Sequence, residues 1–458
     1  MKDGVHFGGF QVVSSEVWVF SYRFSVVSAK QRSRVKVLSF PISLCNPLTL
    51  QSSSEAPYVH SLIAFPSKAA YTVFSRFPMA APSLPSPPGR ARALFGHWPE
   101  WGKDPVKLLE DGAKLGKVFE IKLSSRTFVG YSPAWNRAIL SDLETFRSKD
   151  SLSKAVPYLN GGIITRDAPE HKEDKSNLLR QFHTRPMGDF RLSLRDTFAA
   201  NLPIGEFDAL EWADIAVMRS LNAVFFSGQF PEALLQAYLA PLRKGFPAPF
   251  LPKPLLFRRF NAELGRLLER RKLEGGHDIL FHLSSLENAL EETRIALGAA
   301  HDTTTHSLAW AAWLVTHHPQ YADKEWIPLL VKEVLRLYPP GWVGSRTVAK
   351  NVTIEGIALP KGAMVFYSPY LSHRDPDMWE DPLEFRPERW KRSKPPAWGY
   401  LPFGAGERIC LGMNLANVLL EEALGLLVKS VMIPLRGDPS PVSGVTLGPR
   451  GPLMINRL

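Results

Sequence analysis

The chain has 458 residues, 45% apolar and 22% charged, which allows a large packed core and excludes a disordered or low-complexity protein. The formal charge is +11, but residues 1–78 hold eight Lys/Arg against three Asp/Glu, leaving +6 with no basic stripe interleaved with aromatics, so nucleic acid is not an expected partner. Two cysteines, Cys45 and Cys410, exclude a disulfide framework and a four-ligand zinc site, and a reducing cytoplasm is the simplest compartment.

Residues 1–78 are rich in Ser and aromatics, poor in acids, and show no sustained period. Their most apolar run, VWVFSYRFSVV at 17–27, is too short for a membrane span and carries Arg23, so no transmembrane anchor is expected. The segment reads as a transit-like sequence, as a surface-lying extension, or as upstream sequence with Met79 as the natural start. The last is favoured, because Met79 opens a Pro-rich linker, AAPSLPSPPG, and residues 1–78 carry no motif. They are expected to be poorly ordered, with a linker at 79–89 and a single domain over 90–458.

FEIKL at 119–123 and TFVGYS at 127–132 read as strands, and PAWNRAILSD as a helix. A loop follows to about residue 165. From 169 helical patterns dominate, the longest and most apolar being 290–316, which reads as a central helix by its length and composition. WIPLLVKEVLRLY at 326–338 is stopped by Pro339 and Pro340. Short strands are predicted within 347–366, then an irregular Pro-rich stretch from about 375 to 402.

That stretch leads into Phe403–Gly412, FGAGERICLG, which sets Cys410 between a glycine-rich turn and an apolar helical run. A lone cysteine in such a run is ordinarily a small buried hydrophobe. Here glycines let the backbone curl round the sulfur, the first helical amides favour negative charge, and Arg408 sits two residues away, so the position is expected to favour a thiolate. A single soft thiolate suits heme iron. The spacing F-x-x-G-x-R-x-C-x-G matches the heme-binding signature of the cytochrome P450 family at every defined position, and the chain resembles that family over about residues 84–458.

The resemblance implies a mainly α fold with a small β region, a helical bundle around heme b with short sheets, and Cys410 as the axial thiolate ligand. Phe403, Gly404, Arg408 and Gly412 of the same segment would contact the cofactor. Glu333 and Arg336 resemble the family's E-x-x-R motif, and FRPERW at 385–390 its second arginine motif; together they imply a buried network of Glu333, Arg336 and Arg389. Ala299, Ala300, His301, Asp302, Thr303 and Thr304 resemble the family's A-G-x-D/E-T-T segment over the heme, with Ala300 in place of the usual glycine. Asp302 and Thr303 would be the acid and alcohol that help deliver protons for O–O cleavage. DAPEHKEDK resembles D-x-P-x-H-x-x-x-R, so His171, Lys175 (lysine where arginine is usual) and Arg346 join Arg408 as partners for the heme propionates.

The implied activity is that of a heme-thiolate monooxygenase inserting one oxygen atom from O2 into a hydrophobic organic substrate, by hydroxylation or epoxidation. No flavin, nicotinamide or iron–sulfur motif is present, so electrons are expected from a separate ferredoxin or flavodoxin and its NAD(P)H reductase, with Lys391, Arg392 and Lys394 as a docking patch. Specificity is expected from the loop at 147–165, the helix face near Leu297 and Ala300, and Trp342–Val343. Two rival readings are a peroxide-using or isomerising heme-thiolate enzyme and a non-catalytic heme sensor. The expected location is cytoplasmic and soluble, with loose association to a membrane surface if the substrate is a lipid.

Overall fold

The computed structural model describes residues 84–89, 95–123, 125–148, 162–179, 184–243, 251–392 and 394–458. The expected extension at 1–78 and the first part of the linker, 79–83, lie outside them. All described residues belong to one compact unit, Arg76–Leu458.

Local sequence sets the element boundaries. Ser132 accepts a hydrogen bond from the Trp135 backbone N–H and Pro133 opens the next turn, which starts a helix at Pro133–Ser141. Asp104 caps Pro105–Ala113 and Asp208 caps Ala209–Phe226 in the same way. The long apolar segment forms the helix Ala289–His317, buried around most of its circumference as a central core helix must be. It packs on Ala209–Phe226 on one side and on Met413–Leu427 on another. The helix Ile327–Leu337 ends at Tyr338, ahead of the two prolines, and Trp310 stacks on Tyr338 with centroids 4.3 Å apart, fixing the two helices to each other.

The strands are β1 Val118–Lys122, β2 Arg126–Gly130, β3 Phe146–Arg147, β4 Gly205–Asp208, β5 Gly344–Val348, β6 Val352–Ile354, β7 Ile357–Leu359, β8 Met364–Tyr367, β9 Met432–Gly437, β10 Pro441–Ser443, β11 Leu447–Pro449 and β12 Leu453–Arg457. The largest sheet has the order β1-β2-β8-β5-β3. β1 alternates, burying Phe119 and Ile121. β2 and β8 are parallel, and β5 runs antiparallel to β8 with Arg346 opposite Val365. β4, β12 and β9 form a second sheet, and β10 and β11 a hairpin whose turn reaches the central helix. The Leu447 N–H donates to the Pro340 carbonyl at 3.0 Å, so this hairpin is tied to the end of the 327–337 helix.

The stretch 375–402 is irregular apart from the short helix Arg389–Arg392. This mainly helical architecture with small sheets agrees with the fold expected from the sequence.

Candidate functional site

One cavity of about 1120 Å³ opens between the central helix, the Cys410 turn and β5. Cys410, Phe403, Gly404 and Gly412 line it on one side, and Ala296, Ala299, Ala300 and Thr303 on the other.

The turn under Cys410 is built by backbone geometry. The Cys410 N–H donates to the Phe403 carbonyl at 2.9 Å. Gly404 and Gly406 hold φ of +69° and +67°, values that disfavour any side chain. Gly406 is the more constrained, because a Cβ there would run into the Leu140 carbonyl oxygen. It is the first glycine of the signature, yet the sequence reading singled out its neighbour Gly404.

Cys410 is exposed, and its exposure is to the cavity. Protein packs closely round the rest of it, and this burial pushes the thiol pKa up, against the Gly412 backbone N–H and the charge of Lys175, which both favour the thiolate. The expectation that the turn itself favours a thiolate is therefore corrected. The helix begins only at Met413, and desolvation outweighs what its first amides supply. A bound metal removes the thiol proton by direct coordination. Among the described residues no group of three or more His, Cys, Asp and Glu is placed to hold a metal ion, so a metal on Cys410 must bring most of its own ligands.

A cationic edge borders the same cavity. His171, Lys175, Arg346 and Arg408 all line it, and all but Arg408 are buried to more than nine-tenths. His171 Nδ1 lies 3.1 Å from Glu407 Oε1, and Lys175 donates to the backbone carbonyls of Glu407 and Ile409. Arg346 Nη1 donates to the Ser345 carbonyl, and Arg408 Nη2 to the Arg166 carbonyl. The Nε atoms of Arg346 and Arg408 are buried without a partner. Burial, and then the nearby Arg346, lowers the Arg408 pKa to about 10. Such a cluster calls for added negative charge and for acceptors aimed at guanidinium forks. A flat metal macrocycle with carboxylate side arms meets both demands, so these residues fit heme.

Thr303 lines the cavity, with its hydroxyl donating to the Ala299 carbonyl at 2.8 Å. Asp302 is 2% exposed and faces away from the cavity. Its Oδ2 accepts from the Thr446 hydroxyl, and its Oδ1 has no hydrogen-bond partner. His306 Nδ1 is 2.9 Å from Thr446 Oγ1, and its Nε2 is 3.9 Å from Asp302 Oδ1. A hydroxyl has one hydrogen; since Thr446 gives it to Asp302, His306 Nδ1 is the donor to Thr446. Neither Thr446 nor His306 was picked out from the sequence. His306 sits one turn beyond Asp302 and was within reach of a periodicity argument, whereas Thr446 is 144 residues distant and was not.

Glu333 and Arg336 are both fully buried and pair through two hydrogen bonds of 2.8 and 3.0 Å. Arg389 Nε, the Arg386 backbone N–H and Trp390 Nε1 complete five donors on one carboxylate, at 2.9–3.0 Å. Arg336 also donates to the carbonyls of His373, Pro382 and Glu384, and Arg389 to those of Glu380 and Asp381. The irregular stretch is thus held by its backbone. His373 continues the link: its Nδ1 lies 3.1 Å from the Arg336 carbonyl, and its Nε2 accepts from the Leu401 N–H at 2.7 Å, two residues before Phe403.

Of the expected specificity positions, Ala300, Trp342 and Val343 line the cavity. Leu297 does not; it is fully buried in the core, and Ala296 faces the cavity in its place. Residues 149–161 of the 147–165 loop lie outside the described residues, while Ser148, Ile163 and Ile164 reach the cavity. Glu292, one buried acid of the cavity wall, was not anticipated. Lys391 lies 3.5 Å over the Trp326 ring, and Arg392 and Lys394 are exposed. No described helix is long and apolar enough to cross a membrane.

A sequence model of the cytochrome P450 family matches residues 326–441. Cyclooctat-9-en-7-ol 5-monooxygenase of Streptomyces melanosporofaciens is 28% identical, over 77% of this chain and 89% of that protein. Cyclooctatin synthase of the same organism is 27% identical, over 78% and 92%. Human cytochrome P450 3A5 is 34% identical over 31% of this chain and 33% of that protein. Among solved structures, retinoic acid bound cyanobacterial CYP120A1 superposes with a TM-score of 0.72 at 22% identity, covering 82% of this chain and all of the other.

Proposed function

We propose that the chain is a cytochrome P450, a family whose members bind heme b through an axial cysteine thiolate, that Cys410 is that ligand, and that the protein is a monooxygenase using O2 on a hydrophobic organic substrate. One observation carries the reading. Cys410, the unpartnered guanidinium nitrogens of Arg346 and Arg408, and the Thr303 hydroxyl all border a single cavity.

Bound heme supplies the redox and dioxygen chemistry. The chain's own residues do the rest. Arg346, Arg408, His171 and Lys175 would pair with the carboxylates of the macrocycle and orient it. Gly404 and Gly406 allow the backbone the turn that brings Cys410 to the cavity. Ala296, Ala299 and Ala300 keep the facing wall apolar and short, which leaves room for a substrate and limits water there. Thr303 holds a hydroxyl at the cavity surface, and Asp302 holds a carboxylate one residue behind it, the pair through which a proton reaches the reacting oxygen.

The name of one relative suggests the substrate range, an unsaturated ring alcohol. A carbon-rich, largely apolar molecule of that kind suits this wall. Two electrons come from a separate ferredoxin or flavodoxin with its NAD(P)H reductase, and exposed Arg392 and Lys394 offer it positive charge. The test is a carbon monoxide difference spectrum of the reduced protein, followed by NADPH-dependent oxygen consumption with a reductase system. A Cys410→Ser variant that keeps the parent's spectrum, or parent protein that binds no hemin, would overturn the reading.

A further inference from the structure

Glu292 lines the cavity together with the apolar Ile163, Ile164, Leu178, Phe225, Ile295 and Ala296. Glu292 is 3% exposed. Its Oε1 accepts from the Ile163 N–H at 3.0 Å and from Asn288 Nδ2 at 2.9 Å. Its Oε2 has only a long approach, 3.4 Å, from the same Ile163 N–H. Among the described residues no cation contacts it: the charge that acts on it is that of Arg166, which pairs with Asp174 at 2.8 Å. Burial pushes its carboxyl above the usual carboxylate range. One oxygen is therefore held by protein, and the other keeps acceptor capacity at the edge of an apolar chamber.

Position adds a length. Glu292 and Thr303 lie on one unbroken helix, eleven residues apart. At the rise of an α-helix that is about 16 Å, or three turns. The reacting oxygen belongs at the Thr303 end under the monooxygenase reading, on which this inference rests.

We propose that Glu292 is a substrate-recognition residue, and that the protein selects elongated apolar molecules carrying a hydroxyl at the end remote from the oxidised carbon while rejecting molecules with a carboxylate there. A hydroxyl completes Oε2. A carboxylate meets a like charge on a buried side chain that no arginine contacts among the described residues, so rejection is built in together with recognition.

The test uses the heme-loaded protein and three probes of one chain length: 1-dodecanol, its methyl ether, and dodecanoate. Binding is read by calorimetric titration, independently of the iron spectrum. A failure of recognition at Glu292 is thereby distinguishable from a failure of the monooxygenase reading, which the carbon monoxide spectrum tests. The parent protein should bind the alcohol about tenfold or more tighter than either other probe. Glu292→Gln keeps an acceptor for Ile163 and removes the charge; dodecanoate should gain about tenfold. Glu292→Leu should bring the alcohol-to-ether ratio to about one. A melting curve close to the parent's for Glu292→Gln separates recognition from mere tethering of the 162–165 turn. An alcohol-to-ether ratio near one in the parent, a ratio unchanged in Glu292→Leu, or dodecanoate binding indifferent to Glu292→Gln would each overturn the proposal.

Discussion

The Thr446 hydroxyl, on the turn between β10 and β11, donates to the carboxylate of Asp302 in the middle of the central helix. Val442 and Ser443 of β10 and Gly444 and Val445 of the same turn line the cavity. The hairpin that lines the cavity therefore also holds the acid next to Thr303 in the chain. Gly448, one residue into β11, is obligatory for this arrangement, since a Cβ there would meet the His306 ring at 2.8 Å.

Thr446→Val keeps the shape of the side chain and removes the hydroxyl. It leaves a buried carboxylate oxygen without its donor, at a cost of about 1–3 kcal/mol in unfolding free energy. Heme content and ligand binding should stay near the parent's, while product formed per NADPH consumed should fall, and Thr446→Ser should restore it. Equal coupling in the valine variant would show that Asp302 works without this contact.

Glu333→Ala should be among the most damaging single changes. It strips the partner from two buried arginines and leaves them charged, at about 3–5 kcal/mol. Arg389→Lys keeps the charge but loses the fork that reaches Glu333 together with the carbonyls of Glu380 and Asp381, and should cost less. Denaturant midpoints and retained heme should rank parent, Arg389→Lys, Glu333→Ala in falling order.

Two glycines of the cysteine turn should separate cleanly. Gly404→Ala has room, its added carbon coming no closer than 3.9 Å to the Arg408 carbonyl, so its cost is the left-handed backbone alone, about 1–2 kcal/mol. Gly406→Ala carries the same backbone cost and a collision with the Leu140 carbonyl. It should lose far more stability and heme than Gly404→Ala in parallel unfolding and heme-content assays. Comparable losses would mean that the backbone at 140 yields easily.

His373 sets an acid limit on stability. Burial first, and then the Arg336 charge, lowers its pKa to about 3. The folded protein thus keeps it neutral where an unfolded chain, titrating near 6.5, takes up a proton. Its contribution is fully present above about pH 6.5 and is lost as pH falls from there toward 3, at about 1.4 kcal/mol per pH unit. His171, His306 and His318 shift in the same direction, so the measurement is a difference: the pH dependence of unfolding free energy for the parent and for His373→Gln. The variant should lose about one proton's worth of slope in that window. Parallel curves would show that His373 protonates freely in the fold.

The cysteine turn was legible because its chemistry is local: glycine, arginine and cysteine act through the backbone of ten consecutive residues. The Glu333–Arg336 pair was legible for a similar reason, lying three apart on one amphipathic helix. What the sequence did not carry was direction. Leu297 and Ala296 are neighbours on a helix buried nearly all round, and only the packed partners decide which of them meets the cavity. Asp302 likewise turns toward a threonine in a distant hairpin. Glu292 stood among other acids, Glu291 included, with no local sign that it alone would be enclosed. The thiol pKa was misjudged because desolvation depends on the whole surrounding shell, whereas the dipole argument used the nearest turn.

Arg346 hangs from an interior strand, opposite Val365. Strand side chains alternate, so a shift of one residue in that pairing would swing the guanidinium to the far side of the sheet and put the short, uncharged Ser345 or Thr347 in its berth. The approach from Tyr338 to Val343 can therefore change its chemistry across descendants of this sequence, but an odd insertion there that propagated into the strand would strip the cavity of the Arg346 cation without replacing a single residue that lines it.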